Sequence, residues 1–335
     1  MSAGILKEDR GCVFGTTWHD LPQYKTKDCP VTYKEAMEIL NFPMEKQQLF
    51  RNKPPNMDRE AVKAYCIVRI DTNTVLVPHV GKKFTVIGNE KLLEHVNNTV
   101  LKEFPQLQIE SVGTLWGGAT TFVCLKVDSF MVPGDTSPIL NRIVWYNPLG
   151  QGGYKTAAHN IRVVCNNTLS AAAKEGKLNG TQRSVAHTKS GASRVSAALD
   201  TLARHFLELE ALGTILKKLA TVRMKEGEPE SFLKRYLPIP GTLEKDDPLA
   251  AEGTSQFKTR ELIMNRFCRC DNGMEDNTAG SRYGMLQAVT YECDHEKLTP
   301  AKDRGMVIWD GITGNRAARK AEALELLTTV NKFGE

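Results

Sequence analysis

Apolar positions in this chain change period several times, and each change marks an element. Tyr65 to Ile70 and Thr74 to Val77 are short β-branched and apolar runs, with the turn residues Asp71-Thr72-Asn73 between them. That pattern predicts a hairpin. From Asn89 to Phe104 the apolar residues Leu92, Leu93, Val96, Val100, Leu101 and Phe104 recur at helical spacing, and Pro105 ends the run. Ile109 to Leu115 and Thr120 to Val127 alternate as strands around Trp116-Gly117-Gly118, and Met131 to Pro138 reads as a loop. Ile143 to Tyr146 is aromatic and β-branched and suits a half-buried pleated surface. The run Asn147-Pro148-Leu149-Gly150-Gln151-Gly152-Gly153 is a dense turn signal, and Tyr154 to Thr156 resumes an extended pattern.

Ile161 to Cys165 is read as a further strand. Asn166, Asn167 and Thr168 follow as caps for a helix over Leu169 to Lys174. A capped helix start after a strand presents free N–H groups, so an anion site is expected there, approached by Arg162, His159 and Lys155. Near the beginning, Thr32 and Glu35 stand at capping-box spacing before Tyr33 to Leu40. Val195, Leu199, Leu202, Phe206, Leu209, Leu212, Leu216 and Leu219 step by three or four and predict one long helix. A second helix is expected over Thr259 to Cys268.

These elements predict an α+β fold: an antiparallel β-meander with helices packed on one face, a long helix, and a helical C-terminal portion. The expected divisions are an N-terminal arm over 1–30, an α+β core over 31–225, an exposed connector over 226–258 rich in Gly, Pro and charge, and a C-terminal portion over 259–335 that packs on the core.

Two stretches, RVVCNNTLSAA at 162–172 and VAHTKSGASRVSAA at 185–198, carry a resemblance to a known family. They are similar to the central signature of the phage/plasmid-like proteins, a domain-of-unknown-function family numbered 932. The matching residues are Arg162, Cys165, Asn167, Thr168, Leu169, His187 and Thr188. Val80-Gly81 through Phe84 to Asn89 resembles that family's Val-Gly-aromatic-Asn motif, with Phe84 in the place of a Tyr. Trp18-His19, the Glu35-Ala36 helix, the box from Ala288 to His295 and the end from Trp309 to Leu327 resemble further family segments; Gly280 stands where the family has Trp. The resemblance implies a protein of phage or plasmid type. A looser, fold-level analogy, with no shared motif, points to ring-forming annealing proteins of the Red-beta and RecT type.

Composition narrows the chemistry only modestly. The 335 residues carry 44 Lys plus Arg against 39 Asp plus Glu, a net charge of +5 that permits contact with nucleic acid. The local imbalance is sharper, because Glu175 is the only acidic residue from Asn141 to Ala198. No apolar segment approaches membrane-spanning length, and MSAGILKEDRG has charges where a signal peptide needs an apolar run. The eight cysteines are then most simply free thiols in the cytoplasm.

Specific catalytic signatures are weak. Cys268, Cys270, Cys293 and His295 match a zinc site in number, but a Cys-x-Cys pair is tighter than the usual knuckle. Cys165 precedes a predicted helix start, yet lies on an apolar strand and reads as an inert buried thiol. Glu292, Asp294 and His295 form an acidic and imidazole group without a second cluster. Phosphate-loop and dinucleotide-binding motifs do not occur. No catalytic residue, metal or cofactor is therefore expected.

The leading expectation is a protein that binds single-stranded nucleic acid without ATP and promotes strand annealing in recombination. Lys82, Lys83, Lys155, Arg162, Lys189 and Arg194 are the candidate phosphate contacts, and Tyr146 and Tyr154 the candidate stacking surfaces. The long helix is expected to pack subunits of a homo-oligomer. The alternative is an enzyme or ligand-binding protein using Arg162, Asn167, Thr168, His187 and His295. A host-takeover or defence-inhibiting protein acting through protein contacts is the third possibility.

Overall fold

The computed structural model of the chain describes residues 9–14, 24–53, 58–150, 153–162, 167–170, 186–191, 200–240, 248–269, 278–295 and 315–329. The fold is α+β, as the periodicities indicate. Among the described residues, ten strands form two sheets. β6 (Gln108–Leu115), β7 (Thr120–Phe130), β8 (Ile139–Pro148), β9 (Lys155–Arg162) and β10 (Asn167–Ser170) stand as consecutive neighbours in a seven-stranded sheet. β1 (Gly11–Phe14) and β2 (Tyr24–Lys27) complete it, with β1 antiparallel to β6 and parallel to β2. The second sheet is the meander β3 (Met44–Lys53), β4 (Asp58–Arg69) and β5 (Thr74–Val80). The chain divides into two compact units. The first comprises Met1–Val127, Arg142–Ala158 and Asn179–Phe206; the second comprises Asp128–Asn141, His159–Leu178 and Leu207–Glu335.

In the first unit, α1 (Tyr33–Leu40) starts at the expected capping box. The Glu35 amide donates to Thr32 Oγ1, and the Thr32 amide donates back to the Glu35 carboxylate. The β4–β5 turn places Asn73 at φ 53°, a left-handed conformation that asparagine tolerates better than most residues. α2 (Asn89–His95) continues through a π turn (Val96–Val100) into α3 (Leu101–Glu103), and Leu92, Leu93, Val96 and Val100 are buried as the stripe requires. A buried ion pair crosses the large sheet, where Arg142 of β8 holds Glu110 of β6 through two nitrogens. Both side chains are withdrawn from water, so removing either partner would leave the other's charge buried and uncompensated.

The second unit is built on α4 (Asp200–Thr221), whose C-terminal portion lies in it. Leu212, Leu216 and Leu219 pack with residues of α5 (Glu228–Tyr236), α7 (Ser255–Arg269), α8 (Arg282–His295) and α9 (Asn315–Thr328). α6 (Pro248–Glu252) precedes α7. Of the apolar stripe, Leu209, Leu212, Leu216 and Leu219 are buried, while Val195 and Leu199 lie outside the described residues. α8 is buried along nearly its whole length, which is how a helix inside a core behaves.

Several sequence expectations are corrected. Asn167 to Ser170 is strand, not a helix cap and first turn: its backbone pairs antiparallel with His159 to Arg162, opposing Asn167 to Arg162 and Thr168 to Ile161. No helix starts at these residues, so the expected helix-terminus anion site is absent from them. The supposed arm supplies β1 and β2. The supposed exposed connector contains α5, with Phe232, Leu233 and Tyr236 buried; turn-forming residues flank that short helix and mask its apolar face. β3 was not signalled, because MEKQQLFRNK is polar at most positions and its strand state depends on pairing with β4.

Candidate functional site

The sequence motifs at 80–84 and 186–188 meet in the first unit. The chain leaves β5 at Val80 and turns at once, the Phe84 amide donating to the Gly81 carbonyl at 3.1 Å. Lys46 of β3 holds this turn, its Nζ donating to the Lys82 carbonyl at 2.6 Å and the Phe84 carbonyl at 2.9 Å. Residues 186–191 form a second tight turn, closed by Thr188 N–H to Ala186 and Gly191 N–H to Thr188, both at 2.8 Å. A side chain at Gly191 would place Cβ 2.1 Å from the Ala186 carbonyl oxygen, so this turn requires glycine. The two turns are joined by the Thr85 amide donating to the His187 carbonyl at 2.9 Å and by the Phe84 ring stacked on the His187 ring at 4.9 Å.

Between them lies a cleft of ≈ 400 Å³. His79, Val80, Gly81, Lys83 and Phe84 form one wall, and Leu149, Gly150 and Gly153 of the β8–β9 turn form another. Ala186, His187 and Thr188 complete the lining, in which no carboxylate stands among the described residues. Lys82, Lys83 and Lys189 are exposed. The local charge therefore favours an anion.

His187 is anchored from behind by a directed chain of buried amides. The Leu40 carbonyl can only accept, so Asn89 Nδ2 donates to it at 2.8 Å and presents Oδ1 to its other neighbours. That oxygen accepts from Thr121 Oγ1 at 2.8 Å and from Asn147 Nδ2 at 3.2 Å. Asn147 Oδ1 then faces His187 Nε2 at 2.8 Å, so Nε2 carries the proton and Nδ1 the lone pair. His187 is only 4% exposed and Asn147 0%. Burial holds the imidazole pKa down to about 4, against a smaller upward pull from the Thr85 backbone, so the ring is neutral at pH 7. Nδ1 itself is buried without a hydrogen-bond partner. Leaving such an acceptor unsatisfied costs about 1–3 kcal/mol.

The other candidate residues fall in several places. Tyr154 is buried beside this cleft, its ring 5.6 Å from that of His187 and its hydroxyl donating to the Ile87 and Gly88 carbonyls. Burial, reinforced by the charge of Glu90, raises its pKa and keeps it protonated. Tyr146 is 2% exposed, and Lys155 Nζ lies 6.0 Å from its ring centre. Neither tyrosine offers a free face for stacking, which corrects the expectation for both; a strand tyrosine followed by glycines does not reveal from sequence which side is covered. Arg162, Asn167 and Thr168 have described backbones in the β9–β10 hairpin of the second unit. Arg194 and Cys165, like Trp18 and Cys270, lie outside the described residues.

His295 ends α8 in the second unit, its ring 4.4 Å from that of Tyr291. Around it, Glu292 pairs with Arg319 at 2.9 Å and Asp294 with fully buried Lys320 at 2.8 Å. Burial pushes the Cys293 thiol up to about 12, so it is no thiolate at neutral pH. These pairs tie α8 to α9. Among the described residues, no three His, Cys, Asp or Glu side chains gather as a metal site. Nor, among them, is any helix long and apolar enough to cross a membrane.

Asn89, Thr121 and Asn147 are the site residues that sequence reasoning passed over. Asn89 closes the Val-Gly-aromatic-Asn motif and Asn147 opens the glycine-rich turn, and those positions were the available signal.

The family model described as domain of unknown function DUF932 matches residues 77–325, and the chain belongs to that family. The match takes in the cleft, α4 and the buried helix α8. Comparison with curated proteins and with solved structures gives no match.

Proposed function

We propose that this DUF932 protein binds single-stranded nucleic acid without ATP, and does so at the cleft of its first unit. The observation that carries this reading is the convergence of the Lys82-Lys83-Phe84 turn and the His187-Thr188-Lys189 turn around a cleft with no acidic lining. Exposed lysines supply the phosphate contacts, and the cleft takes a group attached to that backbone. Binding of this kind uses no nucleotide hydrolysis and serves strand annealing in phage or plasmid DNA metabolism. Tyr146 and Tyr154 are left out of the contact set because they are buried.

The test is fluorescence anisotropy of a labelled single-stranded oligonucleotide across a salt series. Affinity should fall steeply with salt. The slope of log K against log salt should become shallower by roughly 0.7 for each lysine removed in Lys82→Ala, Lys83→Ala and the double variant. Absence of binding at low salt, or an unchanged slope in the double variant, would remove the proposal.

A further inference from the structure

The three-stranded sheet of the first unit runs out past its third strand. β5 pairs with β4 only from Tyr65 to Arg69, whereas β3 follows β4 as far as the Lys53–Asp58 pair. Beyond Tyr65 the sheet is therefore a two-stranded ribbon, a form with little stability of its own in water. Directly opposed residues share a face, so Phe50 with Ala61 and Asn52 with Arg59 lie on one side, and Arg51 with Glu60 on the other. Phe50 is an even number of positions from Gln48, and Ala61 from Tyr65, so across the bulge the Phe50 side continues the side of Tyr65 and Ile67. That side packs in the core with Val80, Phe84 and Leu149, which also line the cleft. Lys46, on the same side, lies over the Tyr65 ring and holds the Lys82–Phe84 turn. Phe50 stands four positions further out than Lys46, about 13 Å at the rise of a strand.

The outer part of this side carries an aromatic ring and a cation instead of core. Phe50 is 55% exposed, and Asn52, Arg59 and Ala61 are exposed beside it. Among the described residues of the ribbon, no acidic residue belongs to this side: Glu45 and Glu60 are on the other, where Glu60 pairs with Arg51 at 2.7 Å. We propose that this face of the β3–β4 ribbon is a second contact surface for the single strand held at the cleft, with a base stacked on Phe50 and a phosphate on Arg59. The inference rests on the nucleic-acid reading and adds where the strand runs next. Two features select this occupant: the positive charge of the face, and its continuity with the lysine-held turn at the cleft. An exposed ring accepts a base only when that base is unstacked from its neighbours, so the surface favours a single strand over a duplex.

Full-length protein is titrated with a labelled oligothymidine of about 15 nucleotides, near the upper end of ordinary single-strand site sizes. Phe50→Ala should weaken binding roughly fivefold or more, the least that base–aromatic stacking is worth, with the salt slope unchanged because no charge is lost. Arg59→Gln should make the slope of log K against log salt shallower by about 0.7, the share of one phosphate contact. Arg51→Gln removes the same charge from the opposite side and should leave both slope and affinity as in wild type. Thermal melts check that each variant is folded. In wild-type protein, a strand carrying iodouracil should photo-crosslink to Phe50, a reading that needs no variant; crosslinks confined to the two turns of the cleft overturn the proposal. Wild-type affinity in both Phe50→Ala and Arg59→Gln overturns it as well and leaves the cleft reading intact. So does an equal loss in Arg51→Gln, because charge would then act without regard to side. A Phe50→Ala variant that keeps its affinity but loses a dimer in light scattering gives the face to a second copy of the chain and overturns the proposal too. No binding by wild type removes both readings.

Discussion

His187 Nε2 and Asn147 Oδ1 lie 2.8 Å apart, although 40 positions separate them in the chain. The contact fixes an imidazole ring from the 186–191 turn against the end of β8, with Asn89 and Thr121 behind it. The wall of the cleft that His187 forms depends on this ring being held in place.

Asn147→Ala should therefore lower stability as well as binding. The truncation strands the His187 donor and removes one donor from Asn89 Oδ1, both without access to water. A loss of about 2–3 kcal/mol is expected, measured as a shift of the urea midpoint at constant slope. A change under about 0.5 kcal/mol, the scale of an ordinary surface substitution, would show that the amide chain does not hold the ring.

Stability should also fall on mild acidification. His187 titrates near 4 when folded and near 6.5 when unfolded. Its contribution is fully present above pH 6.5 and is lost as pH falls from there towards 4, because the unfolded chain binds the proton first. Over that window the loss approaches about 3 kcal/mol. Denaturant titrations at a series of pH values, run on wild type and His187→Gln, isolate it: the variant should lack this part of the slope. Identical profiles for the two proteins would contradict the assignment.

The ion pair between Arg142 and Glu110 gives a test that is independent of ligand. Arg142→Met leaves a buried carboxylate without its guanidinium and should cost about 3–5 kcal/mol. Adding Glu110→Leu should restore a large part of that loss, since the uncompensated charge is then gone. Equal stability of the single and double variants, read from urea unfolding, would mean that the pair is not the reason for the loss.

The sequence by itself determined the elements whose signals are local. The capping box at Thr32 and Glu35, the stripe of α2 and the β4–β5 hairpin all follow from side chains a few positions apart. The family motifs marked His187 and the stretch ending at Asn89. Tertiary structure decided whatever depends on a distant partner. Asn167 to Thr168 carries the local preference of a helix cap, but its N–H groups find better use beside His159 to Arg162, and the ladder wins. Met44 to Lys53 is polar enough to pass for loop until β4 pairs with it. Tyr146 and Tyr154 look from sequence like stacking surfaces, and packing turns both inward. The acceptor at His187 Nδ1 was equally invisible in the sequence: it follows from a hydrogen-bond direction that starts at the Leu40 carbonyl and passes through two asparagines. A short-range preference is worth about 1 kcal/mol, and a buried, directed network is worth several times that, so long-range contacts prevail wherever the two disagree.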